Sequence, residues 1–164
     1  MIKQTIAVIA PGDMGGGVGQ ALTNAGHDVV TCLAGRSAES RSRAERCGFR
    51  DLPNLDAVVA EAALILSILP PASAIDLAGD VAAAMARTGV LPVFMDCNAI
   101  SPASSGKIAE IMTKVNAPYI DCGIIGWAPG KGPQPTRFYV SGPDLAPADA
   151  LAVLAGDAGS TTGS

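Results

Sequence analysis

The stretch Thr5-Ile-Ala-Val-Ile-Ala10-Pro-Gly12-Asp-Met-Gly15-Gly-Gly17-Val-Gly19 decides how the rest of the chain is interpreted. It begins as a run of apolar, mostly β-favouring residues and passes through a glycine-rich turn. It continues into a helical pattern that Gly26 closes. A strand, a glycine turn and a helix in this order form the first half of a dinucleotide-binding βαβ unit.

The glycines of this turn have a geometric reason. A pyrophosphate must approach backbone N–H groups at a helix N-terminus, where unpaired donors and the helix dipole both favour an anion. A side chain at the contact would hold the phosphate away. The usual spacing is G-x-G-x-x-G, and here Ala10 stands at the first glycine position. An ordinary glycine-rich turn is the alternative, but a second predicted strand at residues 29–33 favours the dinucleotide site. The predicted pyrophosphate contacts are Gly12, Asp13, Met14 and Gly15.

Size and composition limit the class of protein. The chain has 164 residues, enough for one domain with a sizeable core. Apolar residues make up 49% and aromatic residues only 4%, so we expect a core of Ala, Val, Leu and Ile. The formal net charge is -4 without a long basic run, which argues against nucleic acid as a partner.

Hydropathy and cysteine usage point to a cytoplasmic protein without a membrane partner. The longest apolar run, residues 62–69, is far shorter than the roughly 18 residues that a spanning helix needs. We expect no secretory signal, because Met1 leads almost directly into the first predicted strand. The 4 cysteines lack C-x-x-C spacing, so we interpret them as reduced packing residues and expect no metal site.

Predicted strands and helices alternate along the whole chain. This alternation predicts an α/β fold: a Rossmann-like, doubly wound, mainly parallel sheet with helices on both faces. Ser73 and Asp76 resemble a capping box, and Ser101 resembles an N-cap. We expect residues 1–155 to form the dinucleotide-binding domain and residues 156–164 to form a flexible tail. Further strands are expected at residues 49–51, 63–69, 91–96, 119–122 and 137–141, and helices at 38–47, 53–61, 73–87, 102–114 and 147–154.

The end of the second predicted strand bears on the choice of cofactor. An NAD site usually places Asp or Glu there, about 20 residues past the glycine turn, on the ribose hydroxyls. This chain has Ala34-Gly35-Arg36-Ser37 instead. A guanidinium beside a hydroxyl binds a 2′-phosphate through charge-assisted hydrogen bonds, whereas a carboxylate repels it. The sequence therefore favours NADP(H), with Arg36 and Ser37 as contacts. The alternative is that the arginines of this region belong to a solvated helix face.

Three other residues have competing interpretations. His27 follows a helix-ending glycine and is interpreted as a loop or cap residue rather than a catalytic base. Trp127 lies in a loop rich in Gly and Pro, either at the rim of the cleft or in local packing. Lys131 lies in the same loop, as a solvated lysine or as a cofactor contact.

Five segments together resemble one family. In this order and spacing, over about residues 4–142, the chain resembles the N-terminal NADP-binding domain of the 6-phosphogluconate dehydrogenase / β-hydroxyacid dehydrogenase superfamily. Asn98-Ala99 stands where better-known members carry Ser-Thr. In this respect the chain is similar to a branch of phosphogluconate-dehydrogenase-like oxidoreductases. The segments are Gly12-Asp13-Met14-Gly15, Gly35-Arg36-Ser37, Ser67-Ile-Leu-Pro70, Asp96-Cys-Asn98-Ala-Ile-Ser101-Pro102 and Tyr119-Ile-Asp121-Cys-Gly123-Ile-Ile-Gly126.

The resemblance implies hydride transfer between NADP and a small hydroxy-acid-like substrate. It implies that the backbone of Leu69 and Pro70 lies along the ribose and nicotinamide. It also implies that the Asn98 amide contacts the nicotinamide or the substrate. Ile125 stands in the family's substrate-anchoring segment and cannot bind a carboxylate through its side chain. The resemblance therefore assigns no catalytic residue and does not fix the substrate.

The family's second, helical domain supplies its catalytic lysine and most of its dimer interface. None of the 4 lysines in this chain matches that position. Two hypotheses follow: the cofactor half of an NADP-dependent oxidoreductase, or a stand-alone, non-catalytic NADP(H)-binding module. A generic α/β domain for another phosphorylated ligand is a third. The expected partners are a small-molecule substrate and either a second copy, as a homodimer, or a helical partner domain.

Overall fold

The chain folds around one seven-stranded sheet whose strands, numbered in chain order, lie in the order 3-2-1-4-5-6-7. The computed structural model describes residues 2–10, 12–133 and 136–154. The predicted tail, residues 156–164, lies outside them. The order of the first six strands is that of doubly wound dinucleotide-binding sheets, so the predicted fold class is confirmed.

The strands are β1 (Thr5–Ile9), β2 (Asp28–Cys32), β3 (Arg50–Leu52), β4 (Leu64–Ser67), β5 (Val93–Asp96), β6 (Tyr119–Ile125) and β7 (Arg137–Ser141). The helices are α1 (Asp13–Asn24), α2 (Ala38–Arg46), α3 (Leu55–Glu61), α4 (Ala74–Thr88) and α5 (Pro102–Lys114), with 3₁₀ turns at Pro71–Ser73 and Ala146–Leu154. The first six strands pair in parallel, and β7 pairs with β6 in antiparallel fashion.

The register of the parallel strands aligns four residues at the carboxyl edge of the sheet. Ile9 of β1 pairs with Ser67 of β4, Ser67 pairs with Asp96 of β5, and Asp96 pairs with Asp121 of β6. Residues in register on neighbouring parallel strands point to the same face. Two carboxylates and a hydroxyl therefore lie side by side where ligands bind in open α/β sheets.

Two hydrophobic cores hold helices against the two faces of the sheet. On one face, Val18 and Leu22 of α1 pack with the 3₁₀ segment 146–154 over β1, β4, β5 and β6. On the other face, α3, α4 and α5 pack around Ile65 and Phe94. Continuous apolar strands such as β4, which is buried at every position, are what a sheet covered on both faces requires.

Some predicted boundaries and caps differ from the structure. Ser101 caps α5 as predicted, because its side chain accepts a hydrogen bond from the Ser104 N–H. The capping box at Ser73 is wrong: a 3₁₀ turn runs directly into α4, and the Ser73 side chain makes no cap hydrogen bond. Strand β6 runs to Ile125, three residues further than predicted, because β7 pairs with it along that length. No helix among the described residues is both long and apolar enough to cross a membrane.

Candidate functional site

The glycine turn ends at the N-terminus of α1, beside the point where the strand order reverses. Gly12 is the N-cap of α1 and provides no side-chain cap. Its N–H donates to the Ala10 carbonyl at 2.8 Å, and its own carbonyl accepts from the Gly16 N–H at 2.7 Å. The N–H groups of Asp13, Met14 and Gly15 therefore precede the first donor bonded within the helix. Three backbone donors and the helix dipole favour an anion at this position.

Two glycines of the turn have different roles. A Cβ at Gly12 would meet nothing within 4 Å, so the space in front of Gly12 is open to a ligand. A Cβ at Gly15 would overlap the Ala10 carbonyl oxygen, so Gly15 lets the helix start directly against the end of β1. A dinucleotide pyrophosphate fits this turn, because the open side lies at Gly12 and the tight side faces the protein.

Further glycines along α1 allow its neighbours to approach. A Cβ at Gly17 would lie 3.0 Å from the Cβ of Ala128, and a Cβ at Gly19 would overlap the Phe49 ring. The sequence suggests one reason for these glycines, the phosphate, whereas the structure adds packing as a second. The loop after β6 thereby lies against the N-terminal half of α1.

Arg36 and Ser37 lie at the carboxyl end of β2, on the same edge of the sheet as the glycine turn. Both residues are exposed. Ser37 is the N-cap of α2, and its hydroxyl accepts from the Ser40 N–H at 3.2 Å. The backbone N–H of Arg36 donates to the Leu33 carbonyl at 2.9 Å, which fixes the turn between β2 and α2. A phosphate here would meet the guanidinium and the N-terminus of α2 together.

Asp51 brings a carboxylate to the end of β2 that spacing from the glycine turn does not reveal. It belongs to β3, and its Oδ1 accepts from the Leu33 N–H at 3.0 Å. Its Oδ2 lies 3.9 Å from the Arg41 guanidinium. The sequence offers no signal for this contact, because it joins residues 18 apart on different strands. The end of β2 therefore contains both an exposed guanidinium and a carboxylate.

Asn98 joins the carboxyl ends of β4 and β5. Its Oδ1 accepts from the Leu69 N–H at 2.8 Å. Its Nδ2 donates to Ser67 Oγ at 3.0 Å and to Asp96 Oδ1 at 2.6 Å. Asn98 is only 7% exposed, and both of its N–H groups are engaged inside the protein. The side chain thus positions the segment of Leu69 and Pro70 and keeps one acceptor lone pair for another group.

Asp96 is a fully buried carboxylic acid below this segment. The side chain is 0% exposed, and its Oδ2 has no hydrogen-bond partner among the described residues. Burial raises the pKa of Asp96 to about 6, which outweighs the hydrogen bonds from Asn98 that favour the ionised form. The charge of neighbouring Asp121 adds to the increase. Asp96 therefore changes its protonation state close to neutral pH.

Replacing Asp96 with asparagine is expected to change the pH dependence of stability. The pKa of about 6 in the folded chain lies above the ordinary value of 3.8. The wild-type chain therefore loses stability as pH rises from about 4 to 6, by up to about 3 kcal/mol. An asparagine side chain keeps the shape without the ionisation, so Asp96→Asn should remove this loss. Urea unfolding at pH 4, 5, 6 and 7 gives the free energy of unfolding of both proteins. If this free energy changes with pH in the same way in both, the raised pKa of Asp96 is contradicted.

The predicted contacts form two groups on opposite sides of β1. One group combines the glycine turn with the Leu69 and Pro70 segment and Asn98; the Ala10 N–H donates to the Ile68 carbonyl at 3.1 Å between them. The other group is Arg36 and Ser37 at the end of β2. A dinucleotide spanning the switch point would reach both groups.

Several residues lie away from this edge or are otherwise engaged. His27 is buried after α1, and its Nδ1 accepts from the Gln4 N–H at 3.1 Å, at the amino end of β1. The Tyr119 hydroxyl is 3.2 Å from Ser105 Oγ, and burial raises its pKa. Trp127 is 59% exposed. Among the described residues, no group of three His, Cys, Asp or Glu side chains is arranged to hold a metal ion.

The sequence matches the family model for the NAD binding domain of 6-phosphogluconate dehydrogenase over residues 5–162. Among curated proteins, an uncharacterised 28.5 kDa protein of Methanothermus fervidus is 28% identical over 101 residues, 60% of this chain and 37% of that protein. The match to the family model agrees with the resemblance identified from the motifs.

Solved structures share the fold. A 3-hydroxyisobutyrate dehydrogenase of Mycobacterium tuberculosis has a TM-score of 0.79 and 25% identity, covering 99% of this chain and 54% of its own. A protein of unknown function reported as similar to 3-hydroxyacid dehydrogenases has a TM-score of 0.77 and 25% identity, covering 92% and 54%. An imine reductase from Pseudomonas sp. has a TM-score of 0.80 and 20% identity, covering 99% and 56%.

This chain spans about half the length of these solved relatives. The family model, by contrast, covers nearly all of the chain, and the sheet order and the turn at the N-terminus of α1 agree with it. The chain belongs to the family of NAD binding domains of 6-phosphogluconate dehydrogenase.

Proposed function

We propose that this chain is the NADP(H)-binding domain of an oxidoreductase that transfers hydride between NADP and a small hydroxy-acid-like substrate. The observation that carries the proposal is the turn at Gly12. It is open to a ligand, lies at the N-terminus of α1 and adjoins the point where the strand order reverses. The bound nicotinamide would supply the hydride chemistry, and the chain would bind and orient it.

The preference for the 2′-phosphorylated cofactor rests on Arg36. Its side chain is exposed beside the N-terminus of α2, and a phosphate there gains charge-assisted hydrogen bonds. Asp51 is the competing feature, because a carboxylate at the end of β2 suits the ribose hydroxyls of NAD. Asp51 already accepts from the Leu33 N–H and lies near Arg41. We therefore propose NADP(H) rather than NAD(H).

The nicotinamide half is proposed to lie along Leu69, Pro70 and Asn98. The engaged amide of Asn98 suggests that it orients the Leu69 backbone, with its remaining Oδ1 lone pair available to a nicotinamide or substrate N–H. The substrate class is proposed from the name of the relative, a 3-hydroxyisobutyrate dehydrogenase. The proton donor is proposed to come from a second domain or a partner chain.

Partners and location complete this proposal. Ile125, Trp127 and Tyr139 are large apolar side chains exposed on or beside the β6–β7 hairpin. Exposed apolar groups in one region favour a partner, either a second copy or a helical domain. The cysteines are free rather than paired in disulfides, which supports a cytoplasmic location.

A titration with NADPH and, separately, NADH tests the cofactor assignment. Emission of Trp127 and fluorescence of the reduced nicotinamide report binding to the 164-residue chain. We expect NADPH to bind more tightly than NADH. Tighter binding of NADH would contradict the 2′-phosphate assignment and would favour Asp51 as the ribose contact. Binding of neither would contradict the cofactor proposal for this chain.

The second candidate, a non-catalytic NADP(H)-binding module, is favoured by the surroundings of two acidic side chains on β5 and β6. Asp96 is fully buried, and Tyr119 is engaged with Ser105, so neither offers a proton to a ligand. NADP⁺ reduction at 340 nm with 3-hydroxyisobutyrate separates the candidates. Turnover by the chain alone would reject the module. If the chain alone binds NADP⁺ without turnover, and turnover appears when a helical partner domain is added, the oxidoreductase is supported.

A further inference from the structure

A cavity of about 290 Å³ opens beside α1, and of the contacts proposed for the dinucleotide only Asp13 also lines it. It lies on the outer side of the helix, opposite Val18 and Leu22, which pack on the sheet. Its walls come from α1, the C-terminal half of α2 and the loop after β6. The side chains that line it include Asp13, Gln20, Arg43, Arg46, Cys47 and Lys131.

The lining is strongly cationic for an acidic protein. Of the 11 Lys and Arg residues in a chain with net charge -4, three line this cavity: Arg43, Arg46 and Lys131. Among the described residues, the only carboxylate in the lining is that of Asp13. Cations from α2 and from a separate loop therefore converge on one space, which favours an anionic ligand.

Two of these cations are available to a ligand. Within the described part of the chain, Arg46 and Lys131 make no ion pair, and both are exposed. Arg43 is partly committed, because its guanidinium lies 3.4 Å from Glu39 Oε1. Arg46 and Lys131 thus carry the argument, and Arg43 adds positive potential beside them.

Close packing fixes the walls of the cavity. A Cβ at Gly16 would lie 3.3 Å from Cδ of Arg43 and 3.5 Å from Sγ of Cys47, so α2 lies directly against α1. On the other side, the Cβ of Ala128 lies close to Gly17. The segment that carries Arg46 therefore lies against α1 at Gly16, and Lys131 follows a loop that lies against Gly17, with its N–H donating to the Ala128 carbonyl at 2.9 Å.

We propose that this cavity binds the phosphate of a small, hydroxylated phosphate monoester, separately from the dinucleotide. Arg46 and Lys131 would hold the phosphate, while the Asp13 carboxylate and the Gln20 amide would accept from or donate to the hydroxyl groups. The cavity volume of about 290 Å³ is just below the about 300–1,000 Å³ typical of ligand pockets, which suits one small molecule rather than a dinucleotide. This proposal rests on the proposed function in one respect, which is that the dinucleotide lies on the open side of the turn at Gly12.

Titration of ¹⁵N-labelled chain with inorganic phosphate and with glycerol 3-phosphate tests the proposal. We expect saturable shifts of the Gly16, Gly17 and Gln20 resonances, with tighter binding of glycerol 3-phosphate. The double substitution Arg46→Ala and Lys131→Ala should weaken both by at least about tenfold, because two charged contacts are lost. Lys107→Ala, an exposed lysine on α5, is the matched control and should change neither titration.

The outcomes separate this proposal from its alternatives. Unchanged shifts in the double variant would overturn it, as would shifts that disappear with Arg36→Ala. Loss of NADPH affinity but not NADH affinity in the double variant would assign the cavity to the cofactor's 2′-phosphate and would also overturn it. A chain that binds glycerol 3-phosphate here but neither dinucleotide would uphold this site and overturn the proposed function.

Discussion

Replacing Arg36 with alanine is expected to weaken NADPH binding about 10- to 100-fold, because hydrogen bonds to a charged group contribute roughly 1.5–3 kcal/mol. NADH lacks the 2′-phosphate, so its affinity should change by less than about twofold. The Arg36 side chain is exposed, and the fold should not depend on it. Fluorescence titrations of both cofactors at low and moderate salt measure the effect, which should decrease as salt screens the charge.

Arg137→Ala is the matched control, since Arg137 is an exposed arginine on β7 at the opposite side of the sheet. It should bind both cofactors as the wild type does. An equal loss of NADPH and NADH affinity in Arg36→Ala would mean that Arg36 contacts something other than the 2′-phosphate. Asp51→Asn is a useful companion, because the amide oxygen still accepts from the Leu33 N–H while the negative charge disappears.

Gly12→Ala is expected to separate binding from folding. The φ of Gly12 is -77°, which alanine adopts readily, and a Cβ there meets no protein atom within 4 Å. Because alanine is a poorer N-cap than glycine, stability should fall by no more than about 1 kcal/mol. The added methyl group would occupy the space proposed for the pyrophosphate, so NADPH and NADH affinities should both fall by more than about tenfold. Thermal unfolding and the two titrations measure these effects side by side.

Gly15→Ala should damage the fold as well. Its Cβ would overlap the Ala10 carbonyl oxygen, and the helix must shift from β1, at a cost of about 1–3 kcal/mol. Gly79→Ala is the control for glycine in a helix, because a Cβ there meets nothing within 4 Å. It should raise stability by about 0.5–1 kcal/mol.

If Gly12→Ala binds both cofactors normally, the pyrophosphate does not approach this turn.

The sheet could be predicted from the sequence because each strand carries its own signal. β4 lies in a mostly apolar run, residues 63–69, that Pro70 and Pro71 stop, and β1 leads into the glycine turn. Alternation with amphipathic helices then limits the topology to a parallel sheet. The capping box at Ser73 is wrong because a local side-chain pattern does not reveal a 3₁₀ turn that precedes the helix.

The contacts within the candidate site could not be predicted in the same way. The bonds from Asn98 to Ser67 and Leu69 join residues 31 and 29 apart, and only the register of β4 with β5 brings them together. The carboxylate of Asp51 reaches the end of β2 by the same kind of long-range pairing. Local patterns identified the segments that carry polar groups, and strand register decided which groups meet.

The composition of α1 has a consequence for the order in which the chain folds. Four of its 12 residues are glycines, each of which disfavours a helix by roughly 1 kcal/mol relative to alanine. Such a segment is not helical on its own, and its stability comes from contacts with β1, α2, Phe49, the loop after β6 and the 3₁₀ segment Ala146–Leu154. The ribosome therefore delivers α1 early, but its stabilising contacts are complete only after Leu151 has emerged, so the first helix in sequence is among the last to be fully stabilised.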